Sequence, residues 1–163
     1  MPIVYNANEI IRIGVEIEKN GLAFYRQAAT LAAGDADMER LFSDLAGWEE
    51  THVALFESFR RELPKTILEE DAYDQDEEMA RYLKAAADSH VFHVSHNIAE
   101  LAKGCRNVVE ALNLALRFEK DSVVVYTTMK ELVPPALGND AIERLIREEL
   151  MHISFISNQL AVL

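Results

Sequence analysis

Two Glu-x-x-His steps, one hundred residues apart, are the residues of this chain best suited to chemistry. The first step is Glu49 with His52, and the second is Glu149 with His152. Positions i and i+3 of an α-helix are neighbours on one face, so each step can present a carboxylate and an imidazole together. Oxygen and nitrogen ligands without thiolate suit iron or manganese better than structural zinc, which prefers closed cysteine and histidine sites. The steps therefore indicate a transition-metal site.

A lone glutamate, followed by a tyrosine seven positions later, precedes each step. These pairs are Glu18 with Tyr25 and Glu119 with Tyr126. Glu18 and Glu119 are 101 positions apart, and equivalent members of the two steps are 100 positions apart. A duplicated helix pair, closed by pseudo-two-fold symmetry, explains this repeat. We predict one metal site with six ligands in two equivalent sets: Glu18, Glu49 and His52, and Glu119, Glu149 and His152.

Each ligand set can serve one ion of a metal pair. Glu49 and Glu149 can bridge the two ions, each histidine can cap one ion, and Glu18 and Glu119 can act as terminal ligands. Four carboxylates balance the charge of two divalent cations, whereas their burial without metal would raise their pKa values and cost stability. We expect two ions about 3.5–4 Å apart, as in two-metal catalytic centres. Iron is preferred because paired ferrous ions can deliver two electrons; manganese or a mixed pair is the alternative.

Four segments with a helical spacing of apolar residues must position these ligands. They run from about Asn6 or Asn8 to about Ala33, from about Ala36 to Leu63, from Asn107 to about Val133, and from about Asp140 to Leu160. The ligands fall on the apolar faces, and Trp48 is assigned to the same inward face as a packing residue. Glu148 is expected at the surface, because the repeat and the three-residue step select Glu149. A long link between the pairs predicts an all-α four-helix bundle with one crossover.

The link spans about residues 65–104 and contains an acidic run and two short amphipathic pieces, near 79–87 and 94–103. His90, His93 and His96 form a row at three-residue spacing within it. On a helix these side chains would share one face and could bind a zinc ion at the surface or at a dimer interface. Exposed histidines without a ligand role are the simpler interpretation.

Composition narrows the class of protein. The chain has 163 residues, a formal net charge of −12 and one cysteine, Cys105. The negative charge argues against nucleic acid and anionic membranes as partners. One cysteine permits neither an internal disulfide nor a Cys-x-x-Cys metal knuckle. Neither a signal peptide nor an apolar stretch of about 20 residues is visible, so we expect one cytoplasmic domain over residues 1–163.

Three stretches of the sequence resemble those of a known protein family. Residues 17–25 (Ile-Glu-Lys through Phe-Tyr), 82–92 (Tyr-Leu-Lys-Ala through Val-Phe) and 118–126 (Phe-Glu-Lys-Asp-Ser through Tyr) resemble the rubrerythrin branch of the ferritin-like superfamily. Ferritin-like di-iron proteins use one glutamate from each of two helices and Glu-x-x-His from each of the other two. The resemblance covers nearly the whole chain and implies a ferritin-like four-helix bundle with two iron ions.

The resemblance also implies a function. It identifies Glu18, Glu49, His52, Glu119, Glu149 and His152 as di-iron ligands, and it assigns catalytic roles to the four glutamates with Tyr25 and Tyr126. The tyrosines are either ordinary core aromatics or hydrogen-bond donors to the bridging glutamates. The implied reaction is the reduction of hydrogen peroxide or dioxygen with electrons from an external donor, such as a rubredoxin-like protein. We expect a homodimer, because isologous dimers are the commonest assembly. There are two alternatives. The chain could be a ferroxidase or iron-binding protein that handles iron, or a non-enzymatic helical bundle in which the metal ions only stabilise the fold.

Two departures separate this chain from typical rubrerythrins. It lacks the cysteines of the C-terminal rubredoxin domain that feeds electrons to the site. Rubrerythrins also tend to carry an extra glutamate one turn after the ligand of the third helix, and this position is Ser122 here. The metal pair is therefore predicted more directly than the peroxidase reaction.

Overall fold

The computed structural model describes residues 7–62, 77–90, 98–133 and 139–163. These residues form six helices and contain no strand. The helices are α1 (Ala7–Leu31), α2 (Ala36–Glu62), α3 (Glu77–Ser89), α4 (Ile98–Gly104), α5 (Val108–Leu132) and α6 (Asn139–Leu160). The predicted all-α class is confirmed. No helix in these ranges combines the length and the apolar character needed to cross a membrane.

The helix boundaries follow local signals in the sequence. The Asp35 side chain accepts a hydrogen bond from the Met38 amide at 3.2 Å at the start of α2, and Asn107 accepts one from the Glu110 amide at 2.9 Å at the start of α5. Both are N-cap contacts that satisfy an otherwise free amide. Asn8 lies inside α1 and accepts a hydrogen bond from the Arg60 side chain at 3.0 Å, so it is not a cap. The other predicted start of this segment, residue 6, lies outside the described residues.

The long helices pack as two pairs, α1 with α2 and α5 with α6. Residues 32–35 link the first pair, and Gly34 adopts a φ of 104°, which glycine tolerates without steric cost. This short link makes α1 and α2 antiparallel neighbours. The described part of the crossover predicted from the sequence contains α3, which packs on α5, and α4, which packs on α1. The crossover helices thus contact one long helix from each pair.

Two glycines bring α1 unusually close to its neighbours. A Cβ atom at Gly14 would lie 2.5 Å from the ring of Phe56 on α2. A Cβ atom at Gly21 would lie 2.5 Å from the ring of Phe118 on α5 and 2.9 Å from a carboxylate oxygen of Glu49. Contacts this short admit no side chain, so glycine sets the distance between α1 and the centre of the bundle.

Candidate metal centre

All six residues predicted as ligands meet in the middle of the bundle. One comes from α1, two from α2, one from α5 and two from α6. Their relative exposures are 0% for Glu18, Glu49 and Glu119, 1% for His52 and Glu149, and 4% for His152. Buried carboxylates and imidazoles are rare without partners or metal, because transfer of a charge from water costs several kcal/mol, on the order of the whole stability of a small domain.

The six side chains form two overlapping groups whose ligand atoms lie within 4.8 Å of one another. The first group contains Glu49, Glu119, Glu149 and His152, and the second contains Glu18, His52 and Glu149. Glu149 belongs to both groups, as a bridging carboxylate must. The groups are the only ones of this kind among the residues that the structure describes.

Both histidines direct Nδ1 into the cluster. His52 Nδ1 lies 3.3 Å from Glu18 Oε2 and 3.1 Å from Glu149 Oε1. His152 Nδ1 lies 3.1 Å from Glu149 Oε2, 3.4 Å from Glu119 Oε2 and 4.0 Å from Glu49 Oε1. The two imidazole rings stack with centroids 5.5 Å apart. Each Nδ1 is therefore placed to share an ion with the carboxylates around it.

Burial and crowding shift the ionisation of these carboxyl groups. Burial, followed by the nearby Glu18 carboxylate, raises the pKa of Glu49 well above its ordinary value. Burial, followed by the nearby Glu149 carboxylate, raises the pKa of Glu119 in the same way. Both shifts oppose negative charge in a dry, crowded site. A bound cation would remove the repulsion that causes them.

The neighbouring carboxylates raise the pKa values of the two histidines. Burial alone would lower the pKa of His52, but Glu149 and Glu18 outweigh burial and raise it to about 11. Glu119 and Glu149 likewise outweigh burial at His152 and raise its pKa to about 9. Burial would raise the pKa of Glu149, yet contact with the two histidines lowers it. The cluster thus attracts positive charge, as imidazolium or as a metal ion.

Tyr25 and Tyr126 hold the lone glutamates of the opposite helix pair. The Tyr25 hydroxyl on α1 donates to Glu119 Oε1 on α5, and the Tyr126 hydroxyl on α5 donates to Glu18 Oε1 on α1. Both tyrosines are fully buried, and burial followed by these carboxylates raises their pKa well above 10.0, so they remain donors. The prediction that they bond the bridging glutamates is wrong, because Glu18 and Glu119 approach the hydroxyls from the facing helix.

Two residues outside the ligand set contact the histidines in different ways. Glu148 Oε2 lies 2.9 Å from His52 Nε2, although the Glu148 side chain is 45% exposed. Trp48 stacks on His152 with ring centroids 4.8 Å apart, and it is 38% exposed. The assignment of Trp48 to the inward face is therefore wrong, because its indole covers the outer side of a histidine. The contact of Glu148 was missed, since spacing reveals helix faces but not contacts between helices.

His90 and Ser122 form a buried polar pair beside the cluster. His90 is 1% exposed, and its Nε2 lies 3.1 Å from the hydroxyl of fully buried Ser122, one turn after Glu119. An exposed His90 is thus a wrong prediction, because α3 packs on α5 and brings its end against Ser122. His93 and His96 lie outside the described residues, so the three-histidine site remains a prediction.

Orphaned polar atoms show that the residues present fit a metal. Both oxygens of Glu49 are buried without a hydrogen-bond partner. Both oxygens of Glu149, Oε2 of Glu119 and Nδ1 of His152 have only the carboxylate–imidazole contacts described above, which lack hydrogen-bond geometry. Buried polar atoms normally have partners, and an unsatisfied one costs about 1–3 kcal/mol. A concentration of such atoms on facing helices is expected where an ion is the missing partner. Carboxylate oxygen and imidazole nitrogen are ligands of iron and manganese.

Comparison with known proteins supports the fold. No protein-family model and no curated protein sequence matches the chain. A solved structure from Thermotoga maritima, provisionally described as a ferritin-like diiron-carboxylate protein, matches with a TM-score of 0.71. The match covers 97% of this chain and 96% of that chain at 19% sequence identity. The chain therefore has the ferritin-like fold, as its sequence predicted.

Proposed function

We propose that this chain is a di-iron redox protein of the rubrerythrin type, which reduces hydrogen peroxide or dioxygen with electrons from an external donor. The observation that supports it most is the set of orphaned carboxylate and imidazole atoms on helices of a ferritin-like bundle. The provisional description of the similar Thermotoga maritima structure as a diiron-carboxylate protein agrees with this proposal.

In this proposal the six buried residues hold two iron ions. Glu18 and His52 serve one ion, Glu119 and His152 serve the other, and the carboxylates of the two Glu-x-x-His steps are shared. When bound, the iron pair supplies two electrons to the oxidant. The conversion of one peroxide to two water molecules also requires two protons, and the surrounding carboxyl groups are the available acids.

The outer residues keep the ligands in position. The hydroxyls of Tyr25 and Tyr126 each fix one oxygen of a lone glutamate, and the other oxygen of that glutamate faces a histidine of the cluster. Hydrogen bonds of this kind orient metal ligands and tune their basicity. Ser122 bonds to His90 and presents no carboxylate. An exchange between glutamate and histidine ligands, such as rubrerythrins use during redox cycling, is therefore not part of the proposed reaction.

The electron donor is a separate molecule in this proposal. A rubredoxin-like protein is the donor that the family resemblance suggests. We also propose a cytoplasmic homodimer, since isologous dimers are the commonest assembly.

Iron reconstitution followed by oxidation tests the proposed function. The protein is loaded anaerobically with ferrous iron, its iron content is measured, and it is mixed with hydrogen peroxide in a stopped-flow instrument. About two irons per chain and fast growth of a diferric absorption band are expected. Binding of iron without reaction with peroxide or dioxygen would contradict the redox function and favour a structural metal. Accumulation of many irons per chain in a hollow shell would favour iron handling instead.

A further inference from the structure

The two halves of the metal cluster differ in how their atoms are satisfied. Every orphaned atom of the cluster belongs to Glu49, Glu119, Glu149 or His152. These four residues are the members of the larger ligand group. Glu18 and His52, which complete the smaller group, have partners for their polar atoms. The cluster is therefore symmetric in its ligand types but not in its contacts.

The His52 half is held together by its own contacts. His52 uses both ring nitrogens: Nδ1 lies 3.3 Å from Glu18 Oε2, and Nε2 lies 2.9 Å from Glu148 Oε2. Glu18 is engaged on both oxygens, since Tyr126 donates to its Oε1. An ion that binds between Glu18 and His52 must replace the direct contact between them. Loss of a charge-assisted hydrogen bond makes binding at this half weaker than it would be with free donors.

The His152 half offers a metal ion more and requires less rearrangement. Its four residues include three carboxylates, whereas the smaller group contains two. An additional negative charge a few ångströms away strengthens the attraction for a divalent cation, because the effective dielectric of a protein is far below that of water. His152 Nδ1 contacts Glu149 Oε2 at 3.1 Å and Glu119 Oε2 at 3.4 Å, but both oxygens of Glu49 have no hydrogen-bond partner to give up. The third carboxylate and the unpaired oxygens of Glu49 both favour this half.

Access from the surface also leads to the His152 half. A surface pocket of about 350 Å³ is lined by Trp48, Glu148, Met151, His152 and Phe155. His152 is the one predicted ligand in that lining, and it is the most exposed of the six at 4%. This pocket therefore borders the His152 half directly, whereas it reaches His52 only through Glu148, whose Oε2 lies 2.9 Å from His52 Nε2.

We propose that the cluster takes up its two ions in order: the first at Glu49, Glu119, Glu149 and His152, and the second at Glu18 and His52 with Glu149 shared. This inference rests on the metal pair of the proposed function, and it adds which half fills first. The order makes the two ions unequal in affinity even though the chain repeats the same ligands.

Trp48 provides a direct readout, because it is the only tryptophan of the chain and stacks on His152 at 4.8 Å. Chelator-treated protein is titrated anaerobically with Co²⁺ alone, a paramagnetic quencher, while tryptophan emission and calorimetric heat are recorded. We expect nearly all of the quenching within the first equivalent, followed by a second equivalent with at least about tenfold weaker affinity. Calorimetry of the unmodified protein resolves the two affinities without any variant.

A matched pair of variants assigns the steps. His52→Ala is expected to keep the first equivalent and its quenching and to lose the second, whereas His152→Ala is expected to lose the tight equivalent. Circular dichroism of both variants confirms that they are folded. Two equivalents of equal affinity, quenching confined to the second equivalent, or a tight ion lost in His52→Ala would overturn the order while leaving the proposed function intact. Absence of any Co²⁺ binding would overturn both.

Discussion

The first helix pair, α1 with α2, and the second pair, α5 with α6, contribute the same ligand types but surround them differently. Position 48 of the first pair is a tryptophan that covers His152, whereas the equivalent position 148 is a glutamate that bonds His52. One turn after the lone glutamate, Gly21 lies against a phenylalanine ring, whereas Ser122 bonds His90. A metal pair needs equivalent ligands from the two helix pairs, but the residues that contact those ligands can differ between the pairs. Divergence of those residues makes the two halves chemically unequal.

Glu149 and Glu18 should differ most in their effect on metal content. Glu149 belongs to both ligand groups, and Glu18 belongs to one. We expect Glu149→Gln to bind less than about half an ion per chain and Glu18→Gln to retain about one, as measured by elemental analysis after iron loading. Glu50→Gln is the control, because the Glu50 side chain on α2 is 68% exposed and should leave both ions bound. Equal losses in the two ligand variants would contradict the division into halves.

Alanine at Gly21 tests how closely the first pair packs. The added Cβ atom would lie 2.5 Å from the Phe118 ring and 2.9 Å from a Glu49 oxygen. Overpacking of this kind typically costs about 1–3 kcal/mol of unfolding free energy, and displacement of Glu49 should also weaken metal binding. Urea denaturation gives the stability change.

Gly47→Ala on α2 is the matched control, since a Cβ atom added there would have no neighbour within 4 Å. Alanine favours a helix over glycine, so this variant should be more stable by up to about 1 kcal/mol. Destabilisation of both variants to the same extent would show that close packing at Gly21 does not determine the result.

The tyrosine hydroxyls should contribute unequally. Tyr25→Phe removes the donor of Glu119, whose other oxygen lies 3.4 Å from His152 without hydrogen-bond geometry, whereas Tyr126→Phe leaves Glu18 hydrogen-bonded to His52. An unsatisfied buried oxygen costs about 1–3 kcal/mol, so Tyr25→Phe should be the more destabilising change in chelator-treated protein. Thermal unfolding of both variants measures the difference. A larger loss in Tyr126→Phe would contradict the contacts described for the two halves.

The sequence predicted the ligand layer better than the layer around it. Glu18, Glu49 and their repeats stand on apolar helix faces, and the periodicity of one helix suffices to reveal such positions. The bonds of Tyr25 and Tyr126 run between helix pairs, so they depend on how the pairs dock. His90 lies at the end of a crossover helix whose packing no local pattern specifies. The periodicity of a single helix does not determine which distant segments it contacts.

A crystal structure of the iron-loaded protein, with anomalous diffraction at the iron edge, tests the central claim most directly. We predict two iron peaks per chain, about 3.5–4 Å apart. One peak should lie next to His52 and the other next to His152, with Glu149 in contact with both. A single peak, a peak at another site, or iron-loaded crystals without iron among these six residues would contradict the account.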